Sequence, residues 1–317
     1  MSDVNTVLGP IPSSDLGFTL MHEHIFNANP AMRHAFAAWA EQESGVSNAV
    51  RMVQAAADLG VRTIVDATPI NLGRDVHVLR EVSEKTGVNI IACTGLYYNH
   101  EPWMTGWRIE SLVDVLLGDI EAGIQGTTSK AAIIKCASDV AGVTEENEKL
   151  LRITAQLHRA TGVPITTHTS VENKVGLAQQ DIFEDEGVDL SHVIIGHSGD
   201  SVDLEYLEAL LQRGSSLGMD RFGIDSPLNT EQRIGTIKEL CDRGWADHMV
   251  LSHDASCVFD WFPPKIFAMI NERMPKWNFC HVPGEVVKAM SAAGISDQHI
   301  QAMVEDNPKR LLEPVSS

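Results

Sequence analysis

Four histidines, one lysine and one aspartate stand at points in the chain where metal-binding or proton-moving chemistry becomes possible. His22 and His24 form an HxH pair in Met21-His22-Glu23-His24. Side chains two apart on a strand share a face, so both rings can point the same way. Lys135 follows the apolar run Ala131–Ile134, His168 ends Thr166-Thr167-His168, His197 ends Ile195-Gly196-His197, and Asp254 follows Ser252-His253. Singly, each has an ordinary explanation. An HxH pair can be structural, a lysine can snorkel to a rim, a lone histidine is more often a hydrogen-bonded core residue, and Asp254 can cap a helix. Jointly, imidazoles and a carboxylate are a donor set for divalent metal ions, and that reading outweighs the structural ones if the residues converge. The lysine is the misfit. An ammonium beside divalent cations is repelled, and burial adds to this, so the neutral amine is favoured. A neutral amine can take up carbon dioxide and become a carbamate, whose two oxygens can bridge two ions. The change removes two units of positive charge from a partly buried cavity, which favours the modified form.

Such a set converges only if the segments carrying it end at one place. Short β-type runs occupy Phe18–His24, Thr63–Asp66, Asn89–Thr94, Ala131–Cys136, Ile165–His168, Val193–His197, Ser216–Met219 and Met249–His253. Amphipathic stretches alternate with them: Ser47–Leu59, Asp75–Thr86, Ser111–Gly123, Glu145–Thr161, Asn173–Glu184, Asp203–Arg213 and Glu231–Arg243. Glycines at 60, 87, 162 and 244 suit left-handed helix caps. This alternation predicts an α/β (β/α)8 TIM barrel, residues 1–317 forming a single domain, with the chemistry at the carboxyl ends of the strands. A doubly wound open sheet is the runner-up, but no GxGxxG follows any strand. The other histidines do not share the pattern. His192 and His248 precede their strands, His158 lies within a helix, and His253, adjoining Asp254, should face away. His34, His77, His100, His281 and His299 have no visible partner and are read as structural.

The bulk composition bounds the partners. Hydrophobic residues make up 44% and charged residues 21%, which supports a packed core. With 24 Lys plus Arg against 43 Asp plus Glu, the formal net charge is −19, which argues against nucleic acid or an anionic membrane surface as partner. No apolar run approaches a membrane span, and Met1–Pro12 carries no secretory pattern. The five cysteines form no CxxC pair, which suits reduced thiols and a cytoplasmic setting.

The order and spacing of these residues resemble the phosphotriesterase family of the amidohydrolase superfamily. The resemblance runs from Gly9-Pro10-Ile11 and Thr19–His24 through Ala92–Tyr97, Ile133–Lys135, Gly162–Thr169 and Ile195–Ser198 to Asn307-Pro308. It implies a binuclear centre: His22, His24 and Asp254 on the more buried ion, His168 and His197 on the more exposed one, and Lys135 as N6-carboxylysine bridging them. The ions would be zinc first, with iron, cobalt or manganese open. Three features are most similar to the lactonase branch. These are Tyr97 after the third strand, Gly218–Gly223 with Arg221 in it, and the short segment Asp225–Glu231. Trp261 resembles a substrate-lining tryptophan of the last loop. The stretches Asn27–Ser44 and Tyr98–Trp107 depart from any pattern that can be mapped.

The implied activity is opening of lactone rings, N-acyl homoserine lactones (quorum-sensing signals) among them, by a metal-bridging hydroxide, with phosphotriester hydrolysis as a side reaction. Asp254 would take the proton and pass it to the leaving alkoxide. Tyr97 would orient the nucleophile or ring oxygen, and Arg221 would anchor the loop after the seventh strand. Trp261, Phe262 and Phe267 would line a channel for an acyl chain. Tyr97 as a rim aromatic, Arg221 paired with Asp220 or Asp225, and Trp261 as packing are the structural counterparts. The alternatives for the whole chain are a primary organophosphate triesterase and a catalytically silent metal-binding barrel. The expected partners are a small lactone or ester and a second copy of the chain in a homodimer.

Overall fold

A computed structural model describes residues 2–314 apart from Ala37, Ala40, Glu41 and His100, and of Gln42 and Glu43 only the backbone. A short antiparallel hairpin, β1 (Asp3–Thr6) with β2 (Gly9–Pro12), precedes eight strands. These are β3 (Thr19–Glu23), β4 (Thr63–Asp66), β5 (Asn89–Gly95), β6 (Ile133–Ala137), β7 (Ile165–His168), β8 (Val193–Ile195), β9 (Ser216–Met219) and β10 (Met249–Leu251). Each pairs in parallel with the next, in unbroken order from β3 to β10. The first and last strands close on each other at their carboxyl ends. His22 N donates to Ser252 Oγ at 2.9 Å, Asp254 N to His22 O at 3.0 Å, and His24 N to Ala255 O at 2.9 Å. The fold is a (β/α)8 barrel, as the alternation predicts.

Period-two alternation sorts each strand into two cores. Ile64, Ile90, Ala92, Ile134, Ile195 and Leu251 face the helices. Val65, Ile91, Cys93, Ile133, Ile194 and Val250 face inward, plugged from below by Val4, Leu16, Leu311 and Leu312. The outer layer consists of α2 (Gln42–Ala57), α3 (Val76–Thr86), α4 (Ile109–Glu121), α5 (Glu145–Thr161), α6 (Val175–Asp185), α7 (Leu204–Gln212) and α8 (Thr230–Asp242). α1 (Pro30–Ala35) lies in the long loop after β3, where the sequence predicts no helix, and α9 (Pro264–Arg273) follows β10, where a long loop and further helices are expected. α1 is too short to show a period, but Pro30 at its start and the Asn29 side chain capping Met32 N define it. β8 and β10 end two residues earlier than their apolar runs, because His197 and Asp254 turn into the left-handed region at φ 58° and 54°. Among the described residues no helix is long and apolar enough to cross a membrane.

Candidate metal centre

Inward-facing strand positions build the site on an apolar floor. In β6, Ile133 belongs to the floor, and Lys135, two residues on, rises above it on the same face, almost wholly buried. Strand β5 must approach closely there. A Cβ on Gly95, which sits at φ 109°, would stand 2.0 Å from the Lys135 carbonyl oxygen, so only glycine fits. His22 comes from β3, where the register to β4 shifts between Leu20 and Glu23, and His24 follows immediately. His168 ends β7, while His197 and Asp254 follow β8 and β10. Non-glycine residues in the left-handed region are uncommon and gather at functional sites, and both His197 and Asp254 are such residues.

All six sequence-selected groups meet. His24 Nε2 lies 3.0 Å and His22 Nε2 3.7 Å from Asp254 Oδ1, and Lys135 Nζ lies 3.0 Å from His22 Nε2. Beside them His197 Nε2 and His168 Nδ1 face each other at 2.7 Å. His22, His24 and Asp254 place donor atoms close enough to share one cation. A second cluster of that kind joins His22 and His197 to Asp220. There, however, the Asp220 oxygens are taken up behind the rings: Oδ2 accepts from His22 Nδ1 at 2.8 Å, and Oδ1 from His197 Nδ1 and N, both at 2.9 Å. Asp220 is therefore an orienting acceptor, and it leaves the opposite nitrogens of both rings facing inward. Thr68 Oγ1 does the same for His24 Nδ1 at 2.8 Å, and Asp66 in turn accepts from Thr68 N at 3.1 Å.

The electrostatics suit cations. Burial lowers the pKa of His22, with Lys135 adding to it, lowers His197 strongly, and brings His168 down to about 4, so these rings are neutral donors at neutral pH. Burial likewise lowers the Lys135 amine, against the pull of Asp254 and Asp220, which favours the uncharged form that carbamate formation needs. Burial opposes ionisation of Asp254, but His197, the His24 hydrogen bond, His22 and Arg221 outweigh it and hold the carboxyl well below the usual range. Neutral imidazole lone pairs, an anionic carboxylate and an uncharged amine, all converging, fit a pair of divalent ions.

Arg221 does not pair with Asp220 or Asp225. Its Nε donates to Asp254 Oδ2 at 3.1 Å and its Nη1 to Asp200 Oδ2 at 2.7 Å, with Arg233 Nη1 2.7 Å from Asp200 Oδ1. The reason is local: Asp220 and Arg221 are adjacent past a strand end and point in different directions. Burial holds the Tyr97 hydroxyl protonated, 3.2 Å from His168 Nδ1. Trp261, half exposed, packs edge-on to Tyr97 at 5.9 Å, and both line a cavity of about 300 Å³ above the metal-binding groups. Phe262 and Phe267 do not join it. They line a separate apolar cavity of about 610 Å³ beside α2, with Phe259 as the wall shared by both. The acyl channel expected from Trp261, Phe262 and Phe267 is thus divided, because Phe259 stacks between them at 5.4–5.8 Å.

The remaining described histidines stay outside the site. His253 turns away, its Nδ1 2.6 Å from Glu23 Oε1, while His158 stacks on His192 on the far side of the barrel from the site. His100 lies outside the described residues. Asp220, Thr68, Asp200 and Asp139 were not recognisable beforehand as site residues. The only signal for the first and third was their position one to three residues from a selected residue.

Residues 2–312 match the phosphotriesterase family. The chain is 43% identical to the phosphotriesterase homology protein of Mycobacterium tuberculosis, covering 99% of this chain and 98% of that one. It is 35% identical to the aryldialkylphosphatase of Saccharolobus solfataricus over 95% and 96% of the two chains. A solved structure of a phosphotriesterase from Mycobacterium tuberculosis superposes with a TM-score of 0.93 at 42% identity, covering 98% of each chain. The chain belongs to the phosphotriesterase family, whose members are metal-dependent hydrolases.

Proposed function

We propose that this hydrolase opens lactone rings, N-acyl homoserine lactones among them, and cleaves phosphotriesters as a slower side reaction. His22, His24 and Asp254 would hold the buried ion, His168 and His197 the exposed one, with Lys135 as N6-carboxylysine between them. Bound there, two divalent ions, zinc in the first instance, supply Lewis acidity and a water acidified to near neutrality. The protein's own groups do the rest. Asp254 Oδ1 is turned to His24, which leaves Oδ2 to accept the attacking water's proton. Arg221 Nε steers that oxygen and, through Asp200, fixes the loop after β9. Tyr97 presents its protonated hydroxyl to the cavity beside His168, and Trp261 lines the same cavity.

The observation that carries this reading is the pair of proton-handling groups facing one cavity, the Asp254 carboxylate and a Tyr97 phenol that burial keeps protonated. A ring alkoxide leaves poorly without a proton, whereas the phenolate of an aryl phosphotriester needs none. A second reading, primary phosphotriesterase, is favoured by the relative whose name is aryldialkylphosphatase. A pH-stat comparison of acyl homoserine lactones, simple γ- and δ-lactones and paraoxon on metal-replete protein decides. Paraoxon turnover exceeding every lactone by orders of magnitude overturns the lactonase reading. Metal analysis giving no bound ion supports instead a silent barrel. Lys135→Ala should lose at least about 100-fold in activity together with metal, and full activity with both ions bound excludes the carbamate. The reading includes a homodimer, testable by sedimentation, and a reducing cytoplasmic setting consistent with five free cysteines.

A further inference from the structure

His22 and His197 are held from behind by Asp220 and His24 by Thr68, but His168 is held differently. Its Nδ1 faces His197 Nε2 at 2.7 Å and the Tyr97 hydroxyl at 3.2 Å, while its Nε2 is buried with no hydrogen-bond partner. The carboxylate oxygen nearest in reach is Asp139 Oδ2 at 3.6 Å, just beyond hydrogen-bond length. For Nδ1 to donate its lone pair to a cation, the ring proton must sit on Nε2. An Nε2–H buried without an acceptor is unfavourable, so a cation at Nδ1 needs something behind the ring.

Asp139 stands where that acceptor is wanted. It lies two residues past β6, in a turn whose backbone bridges back at Gly142, and its Oδ1 accepts from Val140 N at 2.8 Å. The turn therefore fixes one carboxylate oxygen and directs the other at the ring. We propose that Asp139 is the positioning residue for the exposed half of the ion pair: as a cation takes His168 Nδ1, Nε2–H donates to Asp139 Oδ2 and completes a carboxylate–imidazole–metal triad. The inference rests on the two-ion reading above. It adds a selectivity which that reading lacks. Asp220 touches one ring from each ion's set, whereas Asp139 touches His168 alone, so its loss should separate the two ions. Tyr98 packs on His168 with ring centroids 5.6 Å apart, and its phenol lies against the same carboxylate, which ties the pocket loop after β5 to this half of the site.

The test uses the full-length protein loaded with zinc or cobalt, as wild type, Asp139→Ala and Asp139→Asn. Retained metal is counted by mass spectrometry during competition with a chelator, and the cobalt spectrum is followed in parallel. The expected result is that Asp139→Ala releases one equivalent at about 10–100-fold lower chelator than wild type, while the second equivalent stays. Asp139→Asn, whose amide oxygen still accepts a hydrogen bond, should fall between them, and it carries the test alone if the alanine variant does not fold. Nitrogen-detected NMR of the zinc-loaded wild type then reads the His168 tautomer, and a ring proton on Nδ1 instead of Nε2 overturns the proposal. Two-ion retention equal to wild type in either variant, or parallel loss of both ions, overturns it. A wild-type protein holding fewer than two ions overturns the two-ion reading beneath it, and this inference with it.

Discussion

Asp220 solves a residue-scale problem: two imidazoles from opposite sides of the site need acceptors, and one carboxylate serves both. It can reach both because Gly218 leaves the space, since a Cβ there would stand 2.6 Å from Asp220 Oδ2. Burial opposes its charge, but His197 and His22 outweigh this and keep it ionised. Replacing Asp220 by Ala removes the acceptor behind His22 and behind His197 together. Metal affinity should fall about 10–100-fold for both ions, in contrast to the one-ion effect expected at Asp139, and chelator titration of the variant checks it. Unchanged retention of both ions would show that the rings are held by packing alone. The six metal-facing residues were legible because imidazoles and a lysine closing apolar β-type runs are chemically conspicuous. Asp220 was not, since an acid next to an arginine suggests an ion pair, and only side-chain direction reveals that it serves histidines across three strands. The partners of Arg221 were hidden for the same reason: Asp254 and Asp200 are 33 and 21 residues away.

At the scale of elements, the barrel must be closed at the end where the metal-binding groups emerge, and Glu23 does much of this. It is wholly buried at the end of β3, and Oε1 accepts from Ser252 Oγ at 2.8 Å, His253 N at 3.0 Å and His253 Nδ1 at 2.6 Å. Oε2 accepts from Ala255 N at 3.0 Å. His253 Nε2 in turn accepts from Val282 N at 2.8 Å, which ties the closure to the C-terminal helices. Glu23→Ala leaves several buried donors without partners, and the expected loss is about 3–5 kcal/mol, read as a lower urea midpoint. A variant within about 0.5 kcal/mol of wild type would mean that water or repacking satisfies those groups. The strands themselves were legible: β4, β7 and β9 coincide with the β-type runs read from the sequence, short segments buried on both faces between amphipathic helices. Strand ends were harder to read. Nothing in local composition signals that His197 and Asp254 adopt positive φ, since that conformation is imposed by the contacts their side chains make. The β1–β2 hairpin escaped notice because four-residue strands containing Pro10 and Pro12 lack the β-type signature.

Across the whole molecule, burying neutral imidazoles makes stability depend on pH even before any metal is considered. The unfolded chain binds a proton at each histidine near pH 6.5. The folded chain refuses it at His168 until about pH 4, and His22 and His197 shift in the same direction. Between those limits the unfolded state binds more protons, so stability rises with pH there. It is fully present above about pH 7 and is lost as the pH falls from 6.5 towards 4, by on the order of 3 kcal/mol for His168. The net charge of −19 acts in the opposite sense, because acidification relieves repulsion among the carboxylates. Salt separates the two contributions, since it screens exposed charges over about 8 Å and leaves buried rings almost untouched. Chelated protein should therefore have a lower urea midpoint at pH 5 than at pH 7.5, and the gap should persist in high salt. Metal-loaded protein should gain about 2.7 kcal/mol over the chelated form at pH 7.5 when free metal is 100-fold above Kd. That gain should shrink with acid, as protons compete for the same ring nitrogens. A urea midpoint flat across this range in high salt would mean that the rings take up protons in the folded state as readily as in the unfolded one, and the buried neutral donor set would then be wrong.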